Sequence, residues 1–322
     1  LAGKMGYEYI LIDAMWDENL GREKLAELVR YARSQNVDVL LWYNSNGAWN
    51  DAPQTPRNLM DTAPARQREM AWLKSIGVKG LKVDFFGGDK QVTMKLYEDI
   101  LTDANAHGLM LNFHGATLPR GWERMYPNHM TSEAATASEN LIFSQNFADG
   151  EARLSTVLSL IRNPVAAFDF GPMVLNRRFH KEEGKGNVRR TTDAFQLATT
   201  LLYQSPLQHF GITPNNLQEQ PAFVIDFLKK VPVVWDETRY IAGYPGRDVV
   251  LARRNGDRWY VVATNGEQRT KELVIDVPFL AGRTLTLIHD APGQTAATRQ
   301  VTIGEDGRFT LTLEVGGGAV LF

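Results

Sequence analysis

A chain of 322 residues with 43% hydrophobic and 22% charged residues has an ordinary globular composition, long enough for one sizeable domain and a smaller companion. Its formal net charge of −2 gives no electrostatic footing for nucleic acid or an anionic membrane surface, and no apolar run approaches the roughly 18 residues that span a bilayer. The absence of cysteine removes disulfides, thiolate metal sites and cysteine nucleophiles together.

Taken in chain order, short apolar runs alternate with longer amphipathic segments. The opening "LAGKMGYEYI" has neither an initiator Met nor a signal-peptide pattern and reads as the end of a helix entering a strand. The chain is therefore expected to start inside a longer protein. "YEYILID" (7–13) predicts a strand, and "GREKLAELVRYARSQN" predicts a helix because Leu25, Leu28, Val29 and Ala32 recur at helical spacing. Next come the strand "VDVLLWYN" (37–44), the helical "APARQREMAWLKSIG" and the strand "VKGLKVDFF" (78–86). A helix from about Gln91 to Ala106 leads into a strand within "GLMLNFHG" (108–115). A short strand is expected near "HMTSEAA", then a helix in "EARLSTVLSLIRN" and a strand in "PVAAFDFGP" (164–172). The helical "RTTDAFQLATTLLYQSP" and a last strand in "LQHFG" (207–211) close the series.

This alternation means a parallel sheet with helical crossovers. Polar residues recur where the apolar runs end: Asp13 and Trp16, Tyr43 and Asn44, Asp84, Asn112 and His114, Asp169. No G-x-G-x-x-G opens a helix after a strand, so a doubly wound nucleotide fold lacks its signature. The expected fold is a (β/α)8 TIM barrel, whose active site is built at the C-terminal strand ends. Seven strands are read, and the missing first strand is expected before residue 1, because an open seven-stranded barrel would leave two unpaired edges. From about Ala242 the texture changes to short β-rich runs separated by Gly, Asn and Asp turns, which predicts an antiparallel β-sandwich. The expected organisation is a barrel over 1–241, incomplete at its N-terminus, and a C-terminal β-sandwich over 242–322.

Asp84 puts an acid at the end of a strand that is otherwise apolar. It can cap the next turn or pair with Lys82, and it can also do chemistry if a second carboxylate faces it. Glu133 and Glu139, in "YPNHMTSEAATASENLIF", are the candidates, although a surface helix would also explain both. Two carboxylates facing one cavity are the equipment of a glycosidase: one protonates the leaving oxygen, and the other attacks the anomeric carbon or activates water. Trp16, Trp42, Tyr43, Trp49, Phe85, Phe86, Trp122 and Tyr126 lie near the strand ends and can stack on a sugar or fill the core. A metal-dependent hydrolase barrel would call for clustered histidines, and the six present (107, 114, 129, 180, 209, 289) include no H-x-H pair.

"YILIDAMW", "GLKVDFF", "LNFHGATLPRGWERMYPN" and "TSEAATASEN", in this order, resemble glycoside hydrolase family 97. The resemblance runs from residue 1 through the C-terminal sandwich and is sharpest between 78 and 140. It implies a catalytic (β/α)8 barrel between two β-sandwiches, with a calcium ion near the sugar. The family's inverting α-glucosidases carry a general-base Glu in an H-E-A motif; here the motif reads His114-Gly115-Ala116, and Asp84 takes the nucleophile's place of the retaining branch. The resemblance therefore implies a retaining α-galactosidase, with Asp84 as nucleophile and Glu139 as general acid/base. Asp13, Trp16, Lys82 and His114 would contact the sugar, and Glu133 and Glu139 would be calcium (Ca²⁺) ligands in a set completed from outside this chain. An α-glucosidase or β-L-arabinopyranosidase of the same family is the alternative, as is an inactive, sugar-binding relic. An oligosaccharide or glycoside is the partner implied, with no nucleic acid and no membrane, in a periplasmic or secreted setting.

Overall fold

The computed structural model describes residues 1–322, and the chain divides into two compact units. The first comprises Leu1–Ala135 with Ala166–Asp169, and the second Thr136–Val165 with Phe170–Phe322.

The first unit is a barrel-like (β/α) array. Five parallel strands, β1 (Tyr9–Ile12), β2 (Asp38–Asn44), β3 (Gly80–Asp84), β4 (Met110–Phe113) and β5 (His129–Ser132), lie side by side in sequence order. Three long helices make the crossovers: α1 (Gly21–Ser34), α2 (Ala63–Ile76) and α3 (Gln91–His107). Side chains alternate across each strand. Val39, Leu41, Tyr43, Leu81, Val83, Leu111 and Phe113 form one buried cluster with Leu25 and Val29 of α1, Met70 and Leu73 of α2, and Tyr97, Ile100 and Leu101 of α3. Each such side chain contributes roughly 1.5–3 kcal/mol when fully buried. That outer layer offsets what the other face costs, because the alternation leaves Trp42, Asn44, Lys82, Asp84, Asn112 and His114 there, all of them buried. The register sets Trp42 beside Lys82, Lys82 beside Asn112, and Asn44 beside Asp84.

The second unit holds α4 (Gln145–Ile161), α5 (Asp193–Leu202) and an antiparallel β-structure. Its strands are β6 (Glu237–Tyr244), β7 (Asp248–Asn255), β8 (Arg258–Asn265), β9 (Lys271–Asp276), β10 (Thr284–Ala291), β11 (Thr295–Thr302), β12 (Arg308–Leu313) and β13 (Gly318–Leu321). Six of them form a sheet in the order β11-β10-β13-β8-β7-β6, and β12 pairs with β9. Val250, Ala252, Val261, Ala263, Leu287 and Leu321 of the larger sheet share a core with Ile275, Leu311 and Leu313 of the smaller.

Two expected strands are not built as such. The run 164–172 contributes only a parallel bridge between Phe168 and Ser132, and 207–211 carries no strand. Phe168, Phe170 and Leu207 are buried, so these apolar runs record core packing rather than ladder pairing. Pro172 cannot donate to a ladder, and Gly171 adopts φ +63, which turns the chain away. The structure also adds β6, a half-exposed edge strand whose polar start "ETRY" gives no alternation to read.

Candidate active site

Asp84 ends β3 and is 8% exposed. Each of its carboxylate oxygens has a donor: the indole Nε1–H of Trp42 reaches Oδ2 at 3.1 Å, and the backbone N–H of Phe85 reaches Oδ1 at 2.7 Å. Phe85 sits at φ +63, an uncommon conformation for a bulky residue, and its carbonyl accepts from Ser45 Oγ at 3.1 Å and Asn50 Nδ2 at 3.0 Å. The strand end is thereby fixed from both sides.

Gly115 follows β4 and closes on the same carboxylate. A Cβ there would stand 2.8 Å from Asp84 Oδ1 and 2.9 Å from Phe85 N, and the residue adopts φ +50. Only glycine fits beside an acid at 84. Lys82, on the same face two residues earlier, is buried with its Nζ 3.3 Å from Asp13 Oδ2, while the Asp13 side chain is 58% exposed. A lysine held in this way presents a cation in the same row as the carboxylate.

A second polar knot lies at the ends of β4 and β5. Asp169 Oδ2 accepts from Asn112 Nδ2 at 2.5 Å and lies 2.7 Å from His114 Nε2. His114 Nδ1 is buried, makes no hydrogen bond and lies 3.6 Å from Glu133 Oε2, which also accepts from the Gly115 N–H at 3.1 Å. Burial acts most strongly on His114 and opposes its charged form, as does the Lys82 charge. The Asp169 hydrogen bond with the Asp169 and Glu133 charges outweighs both, so its pKa is raised. Glu139 immediately precedes the short helix Asn140–Phe143 of the second unit. His114 and Glu133 offer an imidazole and a carboxylate side by side at the strand ends of the first unit.

Trp16 is placed differently from Asp13, Lys82 and His114. It is 2% exposed, stacks on Trp72, meets Tyr43 edge-on and donates its indole N–H to the Trp42 carbonyl at 2.9 Å. Its indole is part of the core with Tyr43 and Trp72, and it fixes the backbone of β2 at Trp42. Three contributors escaped the sequence reading in their present roles. Trp42 gave only a generic aromatic signal, and Asp169 was one polar residue among several at the ends of apolar runs. Gly115 was noticed for a missing acid rather than for its fit. Alternation could have placed Trp42 on the face of Asp84; nothing in the sequence places Asp169 against His114.

A family model described as "Glycoside hydrolase 97" matches residues 1–135, and one described as "Glycosyl-hydrolase 97 C-terminal, oligomerisation" matches residues 234–322. The chain belongs to glycoside hydrolase family 97. It is similar to a crystal structure described as "beta-arabinopyranosidase", with 52% identity and a TM-score of 0.97 over 99% of this chain and 51% of that one. It is 30% identical to a Streptomyces bingchenggensis protein named "Probable retaining alpha-galactosidase" and 28% identical to the "Retaining alpha-galactosidase" of Bacteroides thetaiotaomicron, each match covering 99% of this chain and 48% of the relative. The chain thus spans about half the length of the curated relatives it matches. None of its helices is long and apolar enough to cross a membrane.

Proposed function

We propose that this chain carries the catalytic part of a retaining glycoside hydrolase that acts on β-arabinopyranosides. The observation that carries the reading is the 52% identity to a β-arabinopyranosidase structure, over a chain whose Asp84 carboxylate is presented by two donors and closed by Gly115. In the first step an Asp84 oxygen bonds to the anomeric carbon as the glycosidic C–O bond breaks, and Glu139 gives its proton to the departing oxygen. In the second, water attacks the same carbon, its proton passes to Glu139, and the bond to Asp84 breaks. Two inversions give net retention. Trp42 and the Phe85 N–H hold the nucleophile in one orientation, and Lys82, Asp13 and His114 would receive sugar hydroxyls.

Glu133 and Glu139 would hold a calcium ion, since hard Ca²⁺ takes carboxylate oxygens, about six to eight oxygens in all. An imidazole suits softer ions, which leaves the Asp169-bound His114 for the sugar. When bound, the ion supplies fixed positive charge that offsets the carboxylates.

An α-galactoside is the second reading, supported by the names of the two curated relatives. The two glycosides differ by one hydroxymethyl arm, a difference worth about 1–3 kcal/mol in a fitted pocket. Comparing kcat/KM for p-nitrophenyl β-L-arabinopyranoside and α-D-galactopyranoside tests the choice. The arabinopyranoside should be favoured by roughly 10-fold or more. A reversed ratio selects the galactoside, and no turnover of either, nor of p-nitrophenyl α-D-glucopyranoside, removes the hydrolase reading in favour of a sugar-binding relic.

A further inference from the structure

The loop after β2 is built as a pedestal. Residues 44–47 are buried, whereas Ala48 and Trp49 at the tip are exposed, Trp49 by 78%. Asn44 Oδ1 accepts from the backbone N–H groups of Asn46 at 3.2 Å and Gly47 at 2.9 Å. Asn46 Oδ1 accepts from the Trp49 N–H at 3.1 Å. The Asn50 side-chain amide reaches Asn44 Oδ1 at 3.0 Å, Asn46 Oδ1 at 3.1 Å and the Phe85 carbonyl at 3.0 Å. Arg57 ties down the other side through the carbonyls of Gly47 and Asn50. At Gly47 a Cβ would come within 2.8 Å of Arg57 Cβ and 2.9 Å of Asn58 N, so the turn is closely packed beneath its tip.

Two connections tie this turn to the nucleophile. Asn44 is the register partner of Asp84, and Asn50, the residue after Trp49, bonds the carbonyl of the residue after Asp84. An indole that needed only to be tolerated at the surface requires no such support. Three asparagines and an arginine fix the backbone of the turn that carries this exposed indole, and Asn50 ties that turn to the strand end that carries the acid. An aromatic face is apolar and electron-rich, which suits the C–H face of a pyranose or an aromatic group.

Resting on the retaining-hydrolase reading above, we propose that Trp49 is the platform for the leaving group: its indole face stacks on the sugar or aromatic ring that departs when Asp84 attacks. The platform touches the aglycone alone, so it should matter only for substrates whose leaving group has a ring. The test uses the intact natural protein and two substrates with the same glycone, a disaccharide and the corresponding glycosyl fluoride. Trp49→Ala should lower kcat/KM on the disaccharide by about 10-fold more than on the fluoride, the size of a lost pocket contact. Trp49→Phe, which keeps a ring, should recover the disaccharide rate to within about threefold, and Trp49→Leu, which keeps only apolar bulk, should not. Equal losses on both substrates, or no loss on either, overturn the platform. Full recovery by Trp49→Leu does so too. A wild-type protein inert towards the fluoride instead overturns the hydrolase reading, and the platform with it.

Discussion

Gly115→Ala tests whether the acid at 84 depends on the absence of a side chain opposite it. The new methyl carbon would sit 2.8 Å from Asp84 Oδ1, 2.9 Å from Phe85 N and 3.1 Å from Phe85 Cα, where ordinary carbon contacts lie at about 3.5–4.0 Å. Something must move by roughly half an ångström. Phe85 is held through its carbonyl by Ser45 and Asn50, so the carboxylate yields first, against its bonds from Trp42 and the Phe85 N–H. A 1 Å misplacement of a reacting group costs about 100-fold, so half of that predicts a kcat loss of roughly 10-fold with KM little changed. Stability should fall as well, by about 1–2 kcal/mol for alanine at a left-handed φ and about 1–3 kcal/mol for overpacking. Gly108→Ala is the control. Gly108 has a similar φ of +69 but nothing within 4 Å of its Cβ position, so it carries the backbone cost without the clash. Steady-state kinetics and urea melts on both variants give the reading. Wild-type kcat in Gly115→Ala, or equal destabilisation by the two variants, would refute the steric argument.

Asp84→Ala should abolish turnover, and azide should restore it with a product of inverted configuration, followed by NMR; wild-type activity in this variant would remove Asp84 from the nucleophile's role. Asp169→Ala should cost about 2–4 kcal/mol in a urea melt, because Asn112 Nδ2 and His114 Nε2 lose their common buried acceptor. A loss below about 1 kcal/mol would mean that water replaces the carboxylate. Chelation with EDTA should lower Tm and activity, both restored by added calcium, because an ion that binds only the folded form stabilises it by mass action. Glu133→Gln should raise the calcium concentration needed for half-recovery; unchanged Tm and activity after exhaustive chelation would end the calcium assignment.

The parts of the fold legible in the sequence are those where one local rule decides the outcome. Leu25, Val29 and Ala32 recur at helical spacing because one face of that helix meets the sheet, and the helix runs over Gly21–Ser34. Asp84 and Lys82 stand out because each interrupts an apolar run, which is itself the mark of a strand buried on both faces. What stayed hidden depends on partners far along the chain. Asp169 lies 55 residues from the His114 it binds, and a strand-ending acid before Gly-Pro has a sufficient local explanation. The apolar runs at 164–172 and 207–211 failed as strands for the same reason: burial is visible in composition, while the neighbour that would complete a ladder is not.

Gly115 shows how a local reading can notice the right residue for an incomplete reason. As a letter it records a missing acid in "HGA"; in the structure the space it leaves open is filled by the Asp84 carboxylate and the Phe85 backbone. A side chain at 115 and a carboxylate at 84 therefore compete for one volume, which makes the two positions energetically dependent. Removing Asp84 should then lessen the packing cost of Gly115→Ala, and a double-mutant cycle with Asp84→Gly should return a coupling of about 0.5–3 kcal/mol. Additive effects would mean that the collision at 2.8 Å relaxes elsewhere, through the Phe85 backbone rather than through the acid.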